Sequence, residues 1–580
     1  MFKKILQFSK SKFFWPLLTL LLILPATFSL FTPGDYYNMH DDMQLIRQLE
    51  LEKCLKDGQI PCRWTPDLGY GYGYPLFNFY PPMPYFVGQV FRTTRLSFVT
   101  SVKLTAISQI ILSTMAMYLL ATSIFGPVGG LIASVFYGYA PYHAVNIYVR
   151  GAMNEAWAAT FFPLIFYFSK EIISKRKTKD IVFLGLSFAG LMLSHNPMVI
   201  TFTPYFAIWC IYWLIKDYGI KTTKIINPSI KLFLSGLLAF SLAAFFSLPV
   251  LFETKFVQIE SMFQNYYHFS VHYASLFQLF ISNFWSDGPS VWGTNDGMSF
   301  MIGYAHWIFP IIILLMFTYF FIKTRKINKP MLLPVILIIL GLFTAFMAHE
   351  KSTWIWLNIP IIQKIQFPWR FLNHTVFLFS LSVGILPYIT KKIFSKKISN
   401  TILSAIVFLV IIINLSYFKP IHHGPITDTQ KFSGQAWTNQ ITSGIYDYLP
   451  KTASTAAKRA ANDFVDEITP KETVYKLLGG QKGTDWQIFN LNLESNAKVT
   501  LSVLAFPNFE VYDNNNKIDY TIEPELGRLV INLDAGNHQI YIKFVNTPIR
   551  TISNTLTLLA LIFVIGYLTK PLWIKLISKK

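Results

Sequence analysis

The chain reads as a mainly α, polytopic transmembrane helical bundle of about twelve spans that carries an external, mostly β domain near its C-terminus. Three observations predict this. Of its 580 residues 53% are hydrophobic and 17% aromatic, while only 14% are charged, more apolar than soluble globular chains. Apolar runs able to cover ~30 Å of hydrocarbon at ~1.5 Å per residue recur along its length. The formal net charge of +20 gathers in short connections between those runs, the pattern of loops kept in the cytoplasm; a nucleic-acid partner is therefore not expected.

The cationic clusters lie at 3–12, 170–179, 216–231, 323–329, 391–397 and 575–580, and all are placed inside. Between them the expected spans are 13–31, 103–122, 128–142, 156–170, 180–196, 197–215, 232–250, 300–322, 331–348, 370–390, 398–418 and 551–573, which leaves both termini cytoplasmic. The run 13–31 contains Pro16 and Pro25 and lacks a small-residue cleavage site before Pro33, so it reads as an uncleaved anchor. Parity makes 81–91 a helix lying at the outer surface. That choice leaves Arg92, Arg95 and Lys103 outside, against the positive-inside rule.

Past the eleventh span the composition turns polar. Residues 419–547 form an external domain large enough for its own core, so the chain divides into a membrane module, 1–418, with an external loop at 32–102; an external domain, 419–550; and a last span with a cytoplasmic tail, 551–580. Alternating apolar residues predict strands at 486–493, 497–504, 509–512, 517–522, 528–533 and 538–545, with turns at Asn514-Asn515-Asn516 and Asp534-Ala535-Gly536-Asn537. An antiparallel β-sandwich fits them. Residues 451–462 read as a helix or a loose linker. Cys54 and Cys62 share the first external loop, either bridged or as two thiols, while Cys210 sits in a span.

Chemistry at a membrane surface needs ionisable groups at the outer ends of spans. The first loop supplies His40, Asp41, Asp42, Arg47, Glu50, Arg63 and Asp67; later outer segments supply His143, Arg150, Glu155, His195, Asn196, Glu253, His268, His272, Asp287, Asp296, His349, Glu350 and Arg370. Asp41 and Asp42 precede an amphipathic helix that one of them could cap. As a close pair of carboxylates they could also act as a general base or hold a divalent cation. Arg150 and Glu155 read either as an ion pair fixing a turn, or as a phosphate-binding cation beside a second catalytic acid. His195, in Ser194-His195-Asn196-Pro197, interrupts an apolar run and is a helix-end residue or a ligand of the site. No C-x-x-C or H-E-x-x-H spacing occurs. Residues 61–82 alternate Gly with Tyr and add Phe77, Phe79 and Tyr80, an aromatic surface suited to the membrane interface or to the faces of sugar rings.

These motifs carry a resemblance. His40-Asp41-Asp42, the run from Pro61 to Pro82, Tyr139-Ala140-Pro141-Tyr142-His143, Tyr148-Val149-Arg150-Gly151-Ala152-Met153-Asn154-Glu155 and Ser194-His195-Asn196-Pro197 resemble the bacterial membrane-protein family labelled 6-pyruvoyl-tetrahydropterin synthase-related domain, over roughly residues 35–420. No pterin-synthase zinc site accompanies them. More distantly, the layout is similar to the GT-C superfamily of membrane glycosyltransferases: an acidic motif after the first span, surface helices, a second acidic position two spans later and an external C-terminal domain. In the external domain, Phe506-Pro507-Asn508-Phe509-Glu510-Val511 resembles a β-domain of related proteins in which Gly-Trp is usual where Asn508-Phe509 stands.

The resemblance implies a bacterial cytoplasmic (inner) membrane protein that moves a sugar from a polyprenyl-phosphate lipid donor to a glycan, lipid or protein acceptor at the outer face. By position, Asp41 or Asp42 would be the base and Glu155 the second acid. His40, Arg63, Tyr80, His143, Arg150, His195, Asn196 and Arg370 would bind substrate. A divalent cation, if one takes part, would sit on Asp41 and Asp42; no other cofactor is implied. Two other functions suit the same sequence, a transporter or flippase for a lipid-linked saccharide and a catalytically silent envelope scaffold. Spans 232–250, 300–322, 331–348 and 398–418, nearly free of charge, favour surface chemistry over translocation.

Overall fold

The computed structural model describes residues 11–219, 222–293 and 296–577. The expected cationic clusters at 3–12 and 575–580 therefore fall largely outside the described residues. The chain forms two compact units interleaved along the sequence, one of Met1–Asp42, Val99–Ala239 and Phe263–Ile426, the other of Met43–Phe98, Phe240–Met262 and Thr427–Lys580. This differs from the linear division expected, since most of the first loop and the last apolar helix group with the β domain.

Eight helices among the described residues are long and apolar enough to cross a membrane, with Phe14–Leu30 and Asp180–Ser194 as shorter apolar helices; the protein is a multi-pass membrane protein. The 41-residue Phe98–Gly138 helix would reach ~60 Å if straight, twice the hydrocarbon thickness. It instead reverses at Gly126 (φ 77°, ψ 174°), just before Pro127. A Cβ placed on Gly130 would meet the Thr122 backbone nitrogen at 3.1 Å, and one on Gly138 the Thr114 Cγ2 at 3.3 Å. The expected spans 103–122 and 128–142 are thus the two arms of a hairpin, closed over small residues.

In the first unit, the Leu372–Ser382 helix is buried along its whole length. Phe162 stacks on Phe202 at 4.4 Å and Phe166 on Trp209 at 4.3 Å. Polar side chains tie the spans together: Gln109 Nε2 donates to the Ala156 carbonyl at 2.8 Å and Tyr137 Oη to that of Ala159 at 2.7 Å. Lys103, which the topology leaves outside, is buried and donates from Nζ to the carbonyls of Thr32 and Asp35, both at 2.7 Å. The Asp35–Tyr37 strand pairs antiparallel with His423–Pro425.

In the second unit, the expected span 232–250 is interrupted. One helix ends at Leu242 and another runs Ala244–Glu253. The cause is a side chain inserted into the helical ladder: Thr557 Oγ1 donates to the Ser241 carbonyl at 3.0 Å and accepts from the Phe245 amide at 2.9 Å, replacing the bond those two groups would share. The expected surface helix is present as Met83–Thr93, and Arg92 is neutralised by Glu52, Nε to Oε2 at 2.6 Å.

The β domain holds two sheets. One runs Val465–Thr469, Ala497–Leu504, Arg528–Leu533, Thr521–Ile522; the other runs Tyr475–Lys482, Trp486–Leu493, Gly536–Phe544, Phe509–Asp513, Asn516–Ile518. Val465–Thr469 and Tyr475–Lys482 were not expected. Every residue of Tyr475–Lys482 is exposed, so this edge strand has no apolar alternation to reveal it. Residues 451–462 form neither helix nor strand, and Cys54 and Cys62 are bridged.

The Gly-Tyr loop is part of the core. It was expected at a surface, but Trp64, Tyr72, Tyr74, Phe77 and Phe79 are all buried in the core of this unit. Trp64 lies edge-on to Phe509 at 5.0 Å, Phe79 stacks on Tyr448 at 5.5 Å and Tyr72 Oη donates to Asp466 Oδ2 at 2.9 Å. Gly73 is required where it stands: its φ is +86°, and a Cβ there would meet Trp64 Cε2 at 2.6 Å.

Candidate functional site

The polar cluster of the first unit is built on an irregular turn. After the short Pro141–Ala144 helix the backbone widens to a π-helix at Val145–Val149, closed by the Arg150 amide on the Val145 carbonyl at 2.9 Å. Such widened turns often accompany functional residues. Gly151 follows at φ +62°, and a Cβ there would press on Met39 Cβ at 3.0 Å. Only a glycine lets the chain around residue 40 run alongside. Two backbone bonds hold it there, His40 N to Val149 O at 3.1 Å and Asp41 N to Arg150 O at 2.9 Å.

Glu155, 1% exposed, is the hub. Its Oε2 accepts from Arg150 Nη2 at 2.8 Å and from Arg370 Nε at 3.2 Å; its Oε1 accepts from Asn373 Nδ2 at 2.6 Å and Tyr142 Oη at 3.1 Å. Arg150 Nη1 also donates to Asn146 Oδ1 at 2.6 Å, and Arg370 Nη1 to the Ile365 carbonyl at 2.6 Å and Gln366 Oε1 at 3.0 Å. Arg150 lies 4.3 Å over the Trp369 ring and Arg370 4.7 Å from the centre of Phe367, with Phe367 and Trp369 themselves stacked. Arg150 Nε and Arg370 Nη2 make no hydrogen bond among the described residues.

Asp41 acts electrostatically on His40 and Arg150, and Asp42 on Tyr37. The helix after them is Gln44–Asp57, with Met43 rather than either aspartate at the N-cap position. His40 is exposed at its edge, yet packing holds its imidazole below the usual histidine range, chiefly by desolvation. The charge of Arg150 adds to this, while the 2.7 Å bond between His40 Nε2 and the Asp287 carbonyl opposes it. His195 sits on extended backbone (φ −160°, ψ 108°) between two helices, within electrostatic reach of Arg370, Glu155 and Arg150. Its Nδ1 is buried with no hydrogen-bond partner. Asn154 Nδ2, donating to the Ser194 carbonyl at 3.0 Å, fixes this segment beside Glu155, and Asn196 follows as the first residue of the next helix.

Thus Asp41, Arg150, Glu155, His195 and Arg370, far apart in sequence, meet in one cluster of the first unit. Other expected substrate ligands are placed elsewhere. His143 is buried edge-on against Tyr137 at 4.5 Å, with His306 as a neighbour. Arg63 belongs to the second unit and is spent there: it donates to Asn78 Oδ1 at 2.9 Å, the Phe245 carbonyl at 2.9 Å and Asn554 Oδ1 at 2.7 Å. Tyr80, also in the second unit, holds Arg47, whose Nη1 donates to its hydroxyl at 2.9 Å. Glu253 is locked to Arg550 at 2.9 Å, and Asp296 to Gln278 and Ser282. Tyr142, Asn146, Trp369 and Asn373 complete the cluster without having been singled out; Asn373, one helical turn beyond Arg370, was within reach of spacing alone. No group of three His, Cys, Asp or Glu able to hold a metal occurs among the described residues, around Asp41 and Asp42 or elsewhere.

No family model matches the chain. A protein of Lactococcus lactis subsp. cremoris, described as uncharacterized, is 28% identical over 256 residues, 43% of this chain and 41% of that protein. Among solved structures the chain is similar to the arabinofuranosyltransferase AftD from Mycobacteria, with TM-score 0.42 and 11% identity over 72% of this chain and 28% of that one. It is also similar to the Archaeoglobus fulgidus oligosaccharyltransferase, with TM-score 0.42 and 13% identity over 79% and 61%. The chain thus spans less than two thirds of each of these proteins. Likenesses this distant leave function to the chemistry of the site.

Proposed function

We propose that this protein is a membrane glycosyltransferase, with Asp41 as general base and Arg150 and Arg370 as the cationic seat for the phosphate of a polyprenyl-phosphate sugar. The Asp41 carboxylate takes the proton of an acceptor hydroxyl as that oxygen attacks the anomeric carbon. The bond from that carbon to the phosphate oxygen breaks, and its electron pair leaves with the lipid phosphate. Arg150 Nε and Arg370 Nη2 receive the charge that develops there. Glu155 keeps the two guanidiniums side by side, His40 and His195 border the acceptor, and Asp42 supports the turn that carries Asp41.

The observation that carries the reading is a pair of buried arginines, each with a donor to spare, next to a carboxylate that belongs to a turn rather than to a span. The GT-C-like order of acidic motif and second acid supports it. The test is transfer from a radiolabelled polyprenyl-phosphate sugar by membranes holding Asp41→Asn, Asp42→Asn or both. Asp41→Asn is expected to lower the rate by ~10²–10⁴ and Asp42→Asn by less. Unchanged transfer by the double variant overturns the assignment.

A further inference from the structure

The second unit holds a cavity of about 190 Å³ between the Gly-Tyr loop, the Gly434–Thr442 helix and the β domain. Its lining includes Tyr70, Trp437, Trp486, Asp485, Gln487 and Ser502. The walls are held from several directions. The Tyr70 amide donates to the Ile441 carbonyl at 3.1 Å and its carbonyl accepts from Ala461 N at 3.0 Å. Trp486 Nε1 donates to Asp57 Oδ1 at 3.3 Å.

Two polar atoms of this lining are left over. Ser502 is 3% exposed and its Oγ is buried with no partner, as is Gln487 Oε1. Buried polar atoms are normally satisfied, and an orphan beside a cavity marks a place for a ligand or water. Asp485 forms no ion pair among the described residues; burial, with Asp57 nearby, holds its carboxyl above the usual range, against the opposing pull of the Lys543 ammonium and of its own backbone amide. The set therefore combines three aromatic rings, a carboxylate acceptor, an amide and a hydroxyl, with no arginine among them; Lys482, also in the lining, already faces the Asp463 carboxylate at 3.5 Å.

That combination separates ligand classes. A phosphate or nucleic acid would be repelled by Asp485 and would find no guanidinium fork. A purely apolar ligand would leave Ser502, Gln487 and Asp485 unsatisfied. A sugar ring offers C–H faces to aromatic rings and an edge of hydroxyls that both donate and accept. We propose that this cavity is a neutral-saccharide binding site, separate in the chain from the cluster around Glu155 and standing or falling independently of the transfer reaction.

The test uses the full-length protein in nanodiscs and saturation-transfer NMR with the methyl glycosides and β-linked disaccharides of glucose, galactose, rhamnose and N-acetylglucosamine. At least one of these is expected to receive saturation at its ring protons and to quench tryptophan emission saturably. Trp437→Ala removes one face and should weaken that binding roughly tenfold. Asp485→Asn, nearly the same shape, should weaken it while leaving near-ultraviolet circular dichroism unchanged, so that a folding defect in the first variant does not decide the matter. No saturation of any probe, meaning a cavity that holds only water, overturns the proposal. So does binding indifferent to both substitutions, or transfer of saturation to neutral tripeptides but to none of the sugars.

Discussion

Replacing Glu155 by Gln tests the electrostatic heart of the first unit. Glu155 is buried and supplies the carboxylate shared by Arg150 and Arg370, at 2.8 and 3.2 Å, while its other oxygen serves Asn373 and Tyr142 at 2.6 and 3.1 Å. A glutamine fits the space. Turned so that its oxygen meets the arginines, it presents an NH₂ to Asn373 Nδ2, donor against donor, and it leaves two neighbouring guanidiniums with no shared anion. Removing one partner from a buried ion pair costs ~3–5 kcal/mol. The expected result is a loss of that size, read by thermal unfolding in nanodiscs against wild type. The charge origin is isolated by a cycle with Arg370→Met: the double variant removes one charge of each sign and should recover at least ~1.5 kcal/mol over the additive sum. If Glu155→Gln unfolds with wild type, or the two substitutions simply add, the cluster is not held by this carboxylate.

Two further perturbations probe the second unit. Gly73→Ala places a Cβ 2.6 Å from Trp64 Cε2 at φ +86°, whereas Gly58→Ala, at φ +83°, meets nothing within 4 Å; the first should cost ~2–5 kcal/mol and the second only the ~1–2 kcal/mol of the left-handed backbone, and equal unfolding midpoints would contradict the packing described. Burial, with the Asp67 carboxylate beside it, holds the Glu50 carboxyl well above the usual range. Below the unfolded-state value both states are protonated and nothing changes with pH. Above it the unfolded chain releases a proton that the folded one keeps, so stability falls by ~1.4 kcal/mol per pH unit until the folded value is passed. Glu50→Gln should match wild type near pH 4 and unfold at higher temperature at pH 7, as read by tryptophan emission.

How much of this was legible beforehand follows from the range of each interaction. Strands such as Trp486–Leu493 and Ala497–Leu504 were readable because apolar alternation is local, and so were the arms of the Phe98–Gly138 hairpin. The break at Ala243 was not, because a threonine 312 residues away from Phe245 makes it. Arg150, Glu155 and Arg370 could each be named from charge at a span end. Their meeting could not, since Arg370 reaches Glu155 across 215 residues. The aromatic loop was misjudged for the same reason: Gly and Tyr in alternation look alike at a membrane interface and in a core, and the core that receives them is encoded far downstream.

That distance has a consequence for biosynthesis. Tyr72 bonds Asp466 across 394 residues, and ribosomes add ~5–20 residues per second. For roughly 20–80 s after residues 61–82 emerge, the tryptophan, tyrosines and phenylalanines that will bury themselves in the β domain have nothing to fold onto. During that interval they are exposed to aggregation, and the protein's yield depends on whatever shelters them until the final strands arrive.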